Sequence, residues 1–153
     1  MRVKLVLFSL VLIFLSTVNA SDSMLTLKGK GTLFLNCKGT LTMEVDGTVQ
    51  LVFDKTPDDL KITANNPDKT KTVPKLDEFS NGVSFSGKIE FSKEVKFVVN
   101  INGTITSFRL EGKASGTVSG EGSYSINGKN GVWKKNGVQL NLGKVVGRGG
   151  TTI

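Results

Sequence analysis

The strongest constraint in this chain is a strict alternation over residues 25–53. Every odd-numbered residue in this stretch is apolar or glycine. The even-numbered residues are mostly Thr, Lys, Glu, Asp, Asn and Gln, with Phe34 and Val52 as apolar exceptions. A period of two is typical of a strand with one dry and one wet face, whereas a helix would scatter these residues around its axis. The alternation therefore predicts β-structure with the odd-numbered residues in the core.

A glycine motif repeats every eight residues within the same stretch. Gly-Thr followed by Leu or Val begins at positions 31, 39 and 47. Eight residues hold a strand of about five and a turn of about three. A turn over residues 45–47 would pair Met43 with Val49 and place Gly47 in the left-handed position of a type I turn with a G1 bulge. We therefore predict an all-β, antiparallel meander that forms a sandwich or a barrel. The alternative is a β-solenoid, in which glycines mark corners and the chain winds around one core.

The remaining chain also predicts strands, turns and one long loop. Residues 65–81 indicate an exposed loop, within which residues 74–80 have room for one helical turn. Alternation resumes over residues 83–101, and a later slip of phase predicts a bulge near Ser107. Further turns are predicted at the Asn-Gly pairs that begin at residues 102, 127, 130 and 136.

The first twenty residues have the layout of a secretory signal. Two basic residues precede an apolar run over residues 5–15, and Val18 and Ala20 occupy the positions that signal peptidase recognises. A membrane span needs about 20 apolar residues, so this run is too short to be one. No second such run follows, and no transmembrane segment is expected after removal of the signal.

The mature protein is expected to be secreted or held at the cell surface. We predict a single all-β domain over residues 21–143 and a flexible glycine-rich tail over residues 144–153. The whole chain carries a formal charge of +7, with 20 basic and 13 acidic residues. Arg2 and Lys4 leave with the signal, so the mature charge is 20 − 2 − 13 = +5. Such a charge attracts polyanions only loosely, and no specific nucleic acid partner is expected.

The composition excludes several kinds of active site. The chain has no histidine and one cysteine, which excludes a Ser-His-Asp triad, a histidine-ligated zinc site and a cysteine cluster. Adjacent carboxylates occur at Asp58-Asp59 and Asp77-Glu78, beside loops and without calcium-loop spacing, so we interpret them as solvated turn residues. We therefore predict no catalytic residues, no metal site and no cofactor.

Two single residues are candidate sites of another kind. Cys37 lies on the apolar parity, so we predict a buried free thiol, and the alternative is an exposed thiol that links two copies. Asn102-Gly103-Thr104 is a candidate N-glycosylation site at Asn102, although turn chemistry alone explains the Asn-Gly pair.

The sequence favours a non-enzymatic β-protein with a structural or interaction role. Its partners would be other copies of itself, assembled through sheet edges, or other extracellular components. One alternative is a lipocalin-like barrel that holds a small apolar ligand. Another is a module that binds polyanions weakly.

Overall fold

A computed structural model describes residues 23–65 and 73–143 of the chain, and these residues are almost entirely β-structure. The predicted signal and tail lie outside the described residues, as does most of the first half of the predicted loop. The elements in chain order are β1 (Ser23–Phe53), β2 (Lys61–Ala64), α1 (Leu76–Phe79), β3 (Val83–Ile126), β4 (Lys129–Trp133) and β5 (Val138–Leu142). No helix among the described residues is long and apolar enough to cross a membrane.

The two long strands roll up around each other. β1 pairs antiparallel with β3 along both of its edges. Val99 lies between Leu35 and Leu51, and the two β1 positions are 51 − 35 = 16 residues apart. Since neighbouring strands are about 4.8 Å apart, β1 returns after sixteen residues to a point about 10 Å from where it passed before. A strand can do this only by curling through a full turn, so the sheet encloses a core.

Glycines line the corners of this roll. Gly31 pairs with both Gly103 and Gly120, and Gly103 pairs in turn with Gly47, so four glycines lie in one row across four passes of the chain. A Cβ on Gly31 would overlap the carbonyl oxygen of Ser119 and lie 2.8 Å from the Cα of Gly120. Only glycine allows the backbones to come this close.

The glycine row corrects the predicted turns. Gly47 and Gly103 have φ of +158° and +152° and lie inside continuous strands, not in hairpins. The three-residue turn over residues 45–47 and the turn at Asn102-Gly103 are therefore wrong. The eight-residue glycine spacing instead marks half of a sixteen-residue turn of the roll. The corners and the winding match the solenoid alternative, whereas the antiparallel pairing is that of the meander.

The predicted bulge near Ser107 is confirmed. Leu27 pairs with Phe108 and Gly29 with Ile105, so β1 advances by two residues while β3 advances by three. The extra residue explains the slip of phase and lengthens one turn of β3 to 116 − 99 = 17 residues, measured between the two partners of Leu35.

The core is filled by apolar side chains from both long strands. Odd-numbered β1 residues such as Leu33 and Met43 are fully buried, and no polar or charged residue among those described is buried. Phe79 of α1 is also fully buried, as is Trp133 of β4, whose Nε1 donates a hydrogen bond to the carbonyl oxygen of Lys28 (3.2 Å). The sheet is antiparallel and is not closed into a barrel. The all-β prediction is confirmed, and the barrel alternative is wrong.

Short elements occupy the two edges of the rolled sheet. β2 pairs with β3 on one side, and β4 and β5 pair with β3 on the other. The predicted turns at Asn127-Gly128 and Asn136-Gly137 are confirmed, with φ of +51° at Asn127 and +81° at both glycines. The turn predicted at Asn130-Gly131 is wrong, because both residues lie inside β4. The helical turn predicted within residues 74–80 is α1.

A candidate interaction face

One continuous part of the outer surface of the roll carries no charge. Even-numbered residues of β1 point outward, and their partners on β3 and β5 do the same. Between the glycine row and Lys38, three successive rows of five outward residues contain only Ser, Thr, Asn, Gln, Phe and Val. We call this surface the neutral face: Ser119, Thr32, Asn102, Thr48 and Ser84; Gln139, Thr117, Phe34, Asn100 and Gln50; Asn141, Ser115, Asn36, Val98 and Val52.

The neutral face is large enough to hold an extended ligand. Five strands at about 4.8 Å spacing give a width of ~19 Å, and rows two residues apart give a height of ~13 Å. Soluble proteins usually intersperse charges over about a quarter to a third of their surface. An area of this size without a charge is therefore a feature that needs an explanation.

The opposite side of the roll has the usual mixture of charges. Arg109 donates to Glu111 at 2.7 Å, and Lys88 lies 2.8 Å from Glu90. The pKa of Glu90 is lowered, first by its hydrogen bond from Lys88. These exposed pairs each stabilise the fold little, but they show that the chain places charges freely on this side. The lack of charge is therefore specific to the neutral face and is not a property of the whole outer surface.

An apolar strip crosses the neutral face. The side chains of Phe34 and Val52 are both 41% exposed, and Val98 is partly exposed between them. Val98 is directly opposite Val52. Phe34 is directly opposite Asn100, so Val98 is its diagonal neighbour. The strip is flanked by amide and hydroxyl side chains, which can both donate and accept hydrogen bonds. The face therefore combines an exposed apolar strip with neutral hydrogen-bonding groups.

A row of lysines borders the neutral face. Lys38 is directly opposite Lys96 on one side and Lys113 on the other. The Nζ of Lys38 lies 3.5 Å from Glu94 Oε1, and both side chains are about half exposed. Like charges directly opposite each other on a sheet destabilise it, so this row costs the fold some stability.

Asn102 lies within the neutral face and not in a turn. It is exposed in the middle of β3, directly opposite Thr32 and Thr48. The residue is exposed in the folded protein, and N-glycosylation there remains a prediction. A glycan attached at this point would cover the end of the face nearest the glycine row.

Cys37 lies in the core, where the alternation places it. Its side chain is 4% exposed, and burial raises the pKa of the thiol to about 12. A thiol with such a pKa stays protonated and unreactive at neutral pH. A disulfide between two folded copies at this position is incompatible with its burial.

The adjacent carboxylates have structural partners. Asp59 Oδ2 accepts hydrogen bonds from the backbone N–H (2.7 Å) and hydroxyl (2.6 Å) of Ser92, and these bonds lower the pKa of Asp59. Asp58 accepts a hydrogen bond from Lys93 at 3.0 Å, which lowers the pKa of Asp58. In the other pair, Glu78 accepts a hydrogen bond from the backbone N–H of Lys75 and caps α1.

The grooves found in the described chain lie on the surface. One of about 430 Å³ is lined by Asp58, Asp59 and Ser92, and another of about 500 Å³ by Tyr124 and Val132. Within residues 23–65 and 73–143, no group of three or more His, Cys, Asp and Glu side chains is arranged to hold a metal ion. The first groove also contains Glu90 and Lys61, and the pKa values of its three carboxyls are lowered by hydrogen bonds from neighbouring side chains.

The neutral face was not identified from the sequence. Parity shows which residues point outward, but not which outward residues are neighbours. The sequence does contain a signal, which is that the charge pattern of β1 repeats after sixteen residues. Positions 32, 34 and 36 are uncharged, as are positions 48, 50 and 52. Charges occur at positions 28 and 30 and again at positions 44 and 46. This repeat indicates an uncharged surface only when the rolled sheet is known, because the roll places residues sixteen positions apart in the same row.

No protein-family model matches this chain, and no curated protein or solved structure shows significant similarity to it.

Proposed function

We propose that this chain is a secreted or cell-surface, non-enzymatic β-protein that binds another extracellular component through its outer surface. The observation that carries the proposal is the neutral face. An uncharged area with exposed Phe34 and Val52 is solvated less strongly than a charged surface, so a partner can displace its water at a lower cost.

The face is a better contact surface than the sheet edges. Edge-to-edge assembly needs a long unpaired strand, and proteins suppress it with short edge strands. Here β2 has four residues, and β4 and β5 have five each. We therefore place the contact on the face of the sheet, and edge assembly becomes the weaker form of the hypothesis.

The state of the carboxylates disfavours a general acid among Asp58, Asp59 and Glu90. A general acid at neutral pH needs a raised pKa, which burial in an apolar site supplies. Asp58, Asp59 and Glu90 instead have lowered pKa values, because each accepts a hydrogen bond from a neighbouring side chain. These three groups remain ionised and serve as structural acceptors.

Secretion and surface binding can be tested together. Eukaryotic cells that express the full chain should release it into the medium with Ser21 as the new N-terminus, as determined by N-terminal sequencing. Protein that stays inside the cells with residues 1–20 attached would contradict the proposal.

The role of the face is tested with added charges. The purified protein should be retained by extracellular matrix from the cells that produce it, and retention should fall when charges are placed on the neutral face (Thr48→Lys with Asn100→Lys). The control places the same charges on the opposite side (Thr42→Lys with Ser86→Lys). Equal retention of the two double variants would show that the neutral face is not the contact surface.

The lysine row supports a second candidate function, weak binding of polyanions. Three directly opposed lysines cost stability in the free protein, and an anion lying across Lys113, Lys38 and Lys96 would relieve their repulsion. Dextran sulfate should then raise the melting temperature at low salt and have little effect at 0.5 M salt.

A matched pair of triple variants separates this site from net charge. The first replaces the lysine row by glutamine, and it should lose the effect of dextran sulfate while becoming more stable alone. The second removes three exposed lysines elsewhere (Lys28→Gln, Lys30→Gln, Lys61→Gln). If both triple variants lose the effect equally, net charge and not the row attracts the polyanion.

The lipocalin-like hypothesis draws no support from the interior of the roll. Buried side chains of β1 and β3 meet there, and the grooves of about 430–500 Å³ open on the outer surface.

A further inference from the structure

We infer that the neutral face binds an uncharged polysaccharide. This inference rests on the proposed function and specifies the chemical class of the partner. It follows from three properties of the face: its lack of charge, its hydrogen-bonding groups and its apolar strip.

The lack of charge fits a ligand that is itself uncharged. A charged ligand that covered the face would lose its own hydration, and no opposite charge within the three rows would compensate it. A neutral polymer loses only hydrogen bonds to water. The Asn, Ser and Thr side chains of the face can replace these bonds, because each can donate and accept.

The apolar strip fits the shape of a sugar ring. A pyranose presents C–H bonds on its broad faces and hydroxyl groups around its rim. Phe34 lies between Thr117 and Asn100 on its own row and next to Asn36 along its own strand. A ring placed over the exposed Phe34 side chain would therefore contact the phenyl group with its C–H face and reach these polar side chains with its hydroxyl groups.

The composition of the face disfavours two other partners. Contacts between proteins depend most on Trp, Tyr and Arg, and the three rows of the neutral face contain none of them. Nucleic acids and acidic polysaccharides require Lys or Arg within the contact area, and here lysines occur only along the border at Lys38.

Co-sedimentation with insoluble polysaccharides tests the inference. The purified protein, carrying Asn102→Gln so that no glycan covers the face, is mixed with amorphous cellulose or chitin at physiological salt. We expect binding to at least one of them that changes little between 0.05 and 0.5 M salt, because no ion pair is involved. Soluble dextran sulfate and polygalacturonate, tested as competitors, should have no effect.

Two exposed apolar residues on opposite sides provide a matched pair of variants. Phe34→Thr removes the aromatic ring from the neutral face and should weaken binding about tenfold. Met24→Thr removes an apolar side chain of similar exposure, 37% against 41%, from the other side and should leave binding unchanged. Both substitutions place a good strand former in a strand, so both variants should fold, which circular dichroism would check.

The possible outcomes are distinguishable. The inference is wrong if no neutral polysaccharide binds, if Phe34→Thr and Met24→Thr behave alike, or if only acidic polymers compete and the lysine-row variant abolishes binding. It is also wrong if ultracentrifugation shows a dimer that Phe34→Thr dissociates, since the partner is then a second copy. If no polysaccharide binds, the proposed function still stands, provided that the matrix retains the wild-type protein and does not retain the double variant Thr48→Lys with Asn100→Lys.

Discussion

The glycine row allows a quantitative test of the rolled architecture. In Gly31→Ala, the new methyl group would overlap the carbonyl oxygen of Ser119 and lie 2.8 Å from the Cα of Gly120, at a residue with φ of +151°. Folded proteins essentially never show a Cβ closer than 3.0 Å to such atoms. The unfavourable φ costs about 1–2 kcal/mol, and relief of the overlap must move a hydrogen-bonded neighbouring strand. We expect a loss of about 3–4 kcal/mol, a large part of a typical stability of about 5–15 kcal/mol.

A glycine in open space provides the control. Gly128 also has a positive φ, +81°, but a Cβ there meets nothing within 4 Å. Gly128→Ala should therefore cost only the backbone term of about 1–2 kcal/mol. Urea unfolding, followed by the fluorescence of the single, fully buried Trp133, measures both variants. For a slope of about 2 kcal/mol per molar, the two midpoints should differ by about 1 M urea.

Asparagine distinguishes a corner from a turn. Asparagine tolerates the left-handed conformation of turns, so Gly128→Asn should be nearly as stable as the wild type. Gly47 has a φ of +158° and faces the backbone of Asn102 and Gly103, so Gly47→Asn should be strongly destabilised. If Gly31→Ala is no less stable than Gly128→Ala, or if Gly47→Asn is tolerated, the packed corner is refuted and a hairpin at this position becomes the better description.

Three further predictions concern single residues. The thiol of Cys37, with a pKa near 12, should resist iodoacetamide at pH 8 in the folded protein and react on unfolding in urea; labelling of the native protein at the rate of a free thiol would contradict its burial. The carboxyl of Asp59 should titrate with a pKa below its ordinary value of 3.8. Its contribution to stability is therefore present above that pH and is lost as the pH falls through the lower pKa of the folded protein. Carboxyl NMR and acid unfolding of Asp59→Asn test this, and an unshifted titration midpoint would refute it. The side-chain oxygen of Asn127 accepts a hydrogen bond from the backbone of Met24 at 2.8 Å, at a φ of +51°, so Asn127→Ala should cost about 2 kcal/mol and Asn127→Gly about 1 kcal/mol in urea unfolding. Equal losses would show that backbone strain plays no part at this position.

The sequence predicts local features well and long-range arrangement poorly. Alternation depends only on which side chains avoid water, so it identifies the dry face of β1 and the bulge near Ser107 in β3 without knowledge of the partner strand. A glycine repeat is ambiguous, because a tight turn and a packed corner both require glycine. The two differ in what lies across from the glycine. For Gly31 those residues are Gly103 and Gly120, which are more than seventy positions away.

The candidate site depends on the same long-range information. Thr32 and Thr48 are sixteen residues apart in sequence, and they share a row only because Asn102 pairs with both. At Asn130-Gly131 the sequence gives a local signal, but the signal is misleading. The pair has the composition of a turn, but the hairpin closes three residues earlier at Asn127-Gly128, and pairing with β3 keeps Asn130-Gly131 extended. Pairing with β3 therefore determines both which residues share a row of the neutral face and the extended conformation of Asn130-Gly131.

The winding of β1 between two passes of β3 also determines the order in which the fold can form. Both edges of β1 pair with β3, which is synthesised later, so β1 has to wait for its partner. Folding dominated by such distant pairings takes milliseconds to seconds, in contrast to the microseconds of helical bundles. During this delay, β1 exposes two unpaired edges and an apolar face, which makes the unfinished chain prone to aggregation. The charges of β1 at positions 28, 30, 38, 44 and 46 flank its uncharged stretches, and we expect them to help keep the waiting strand in solution.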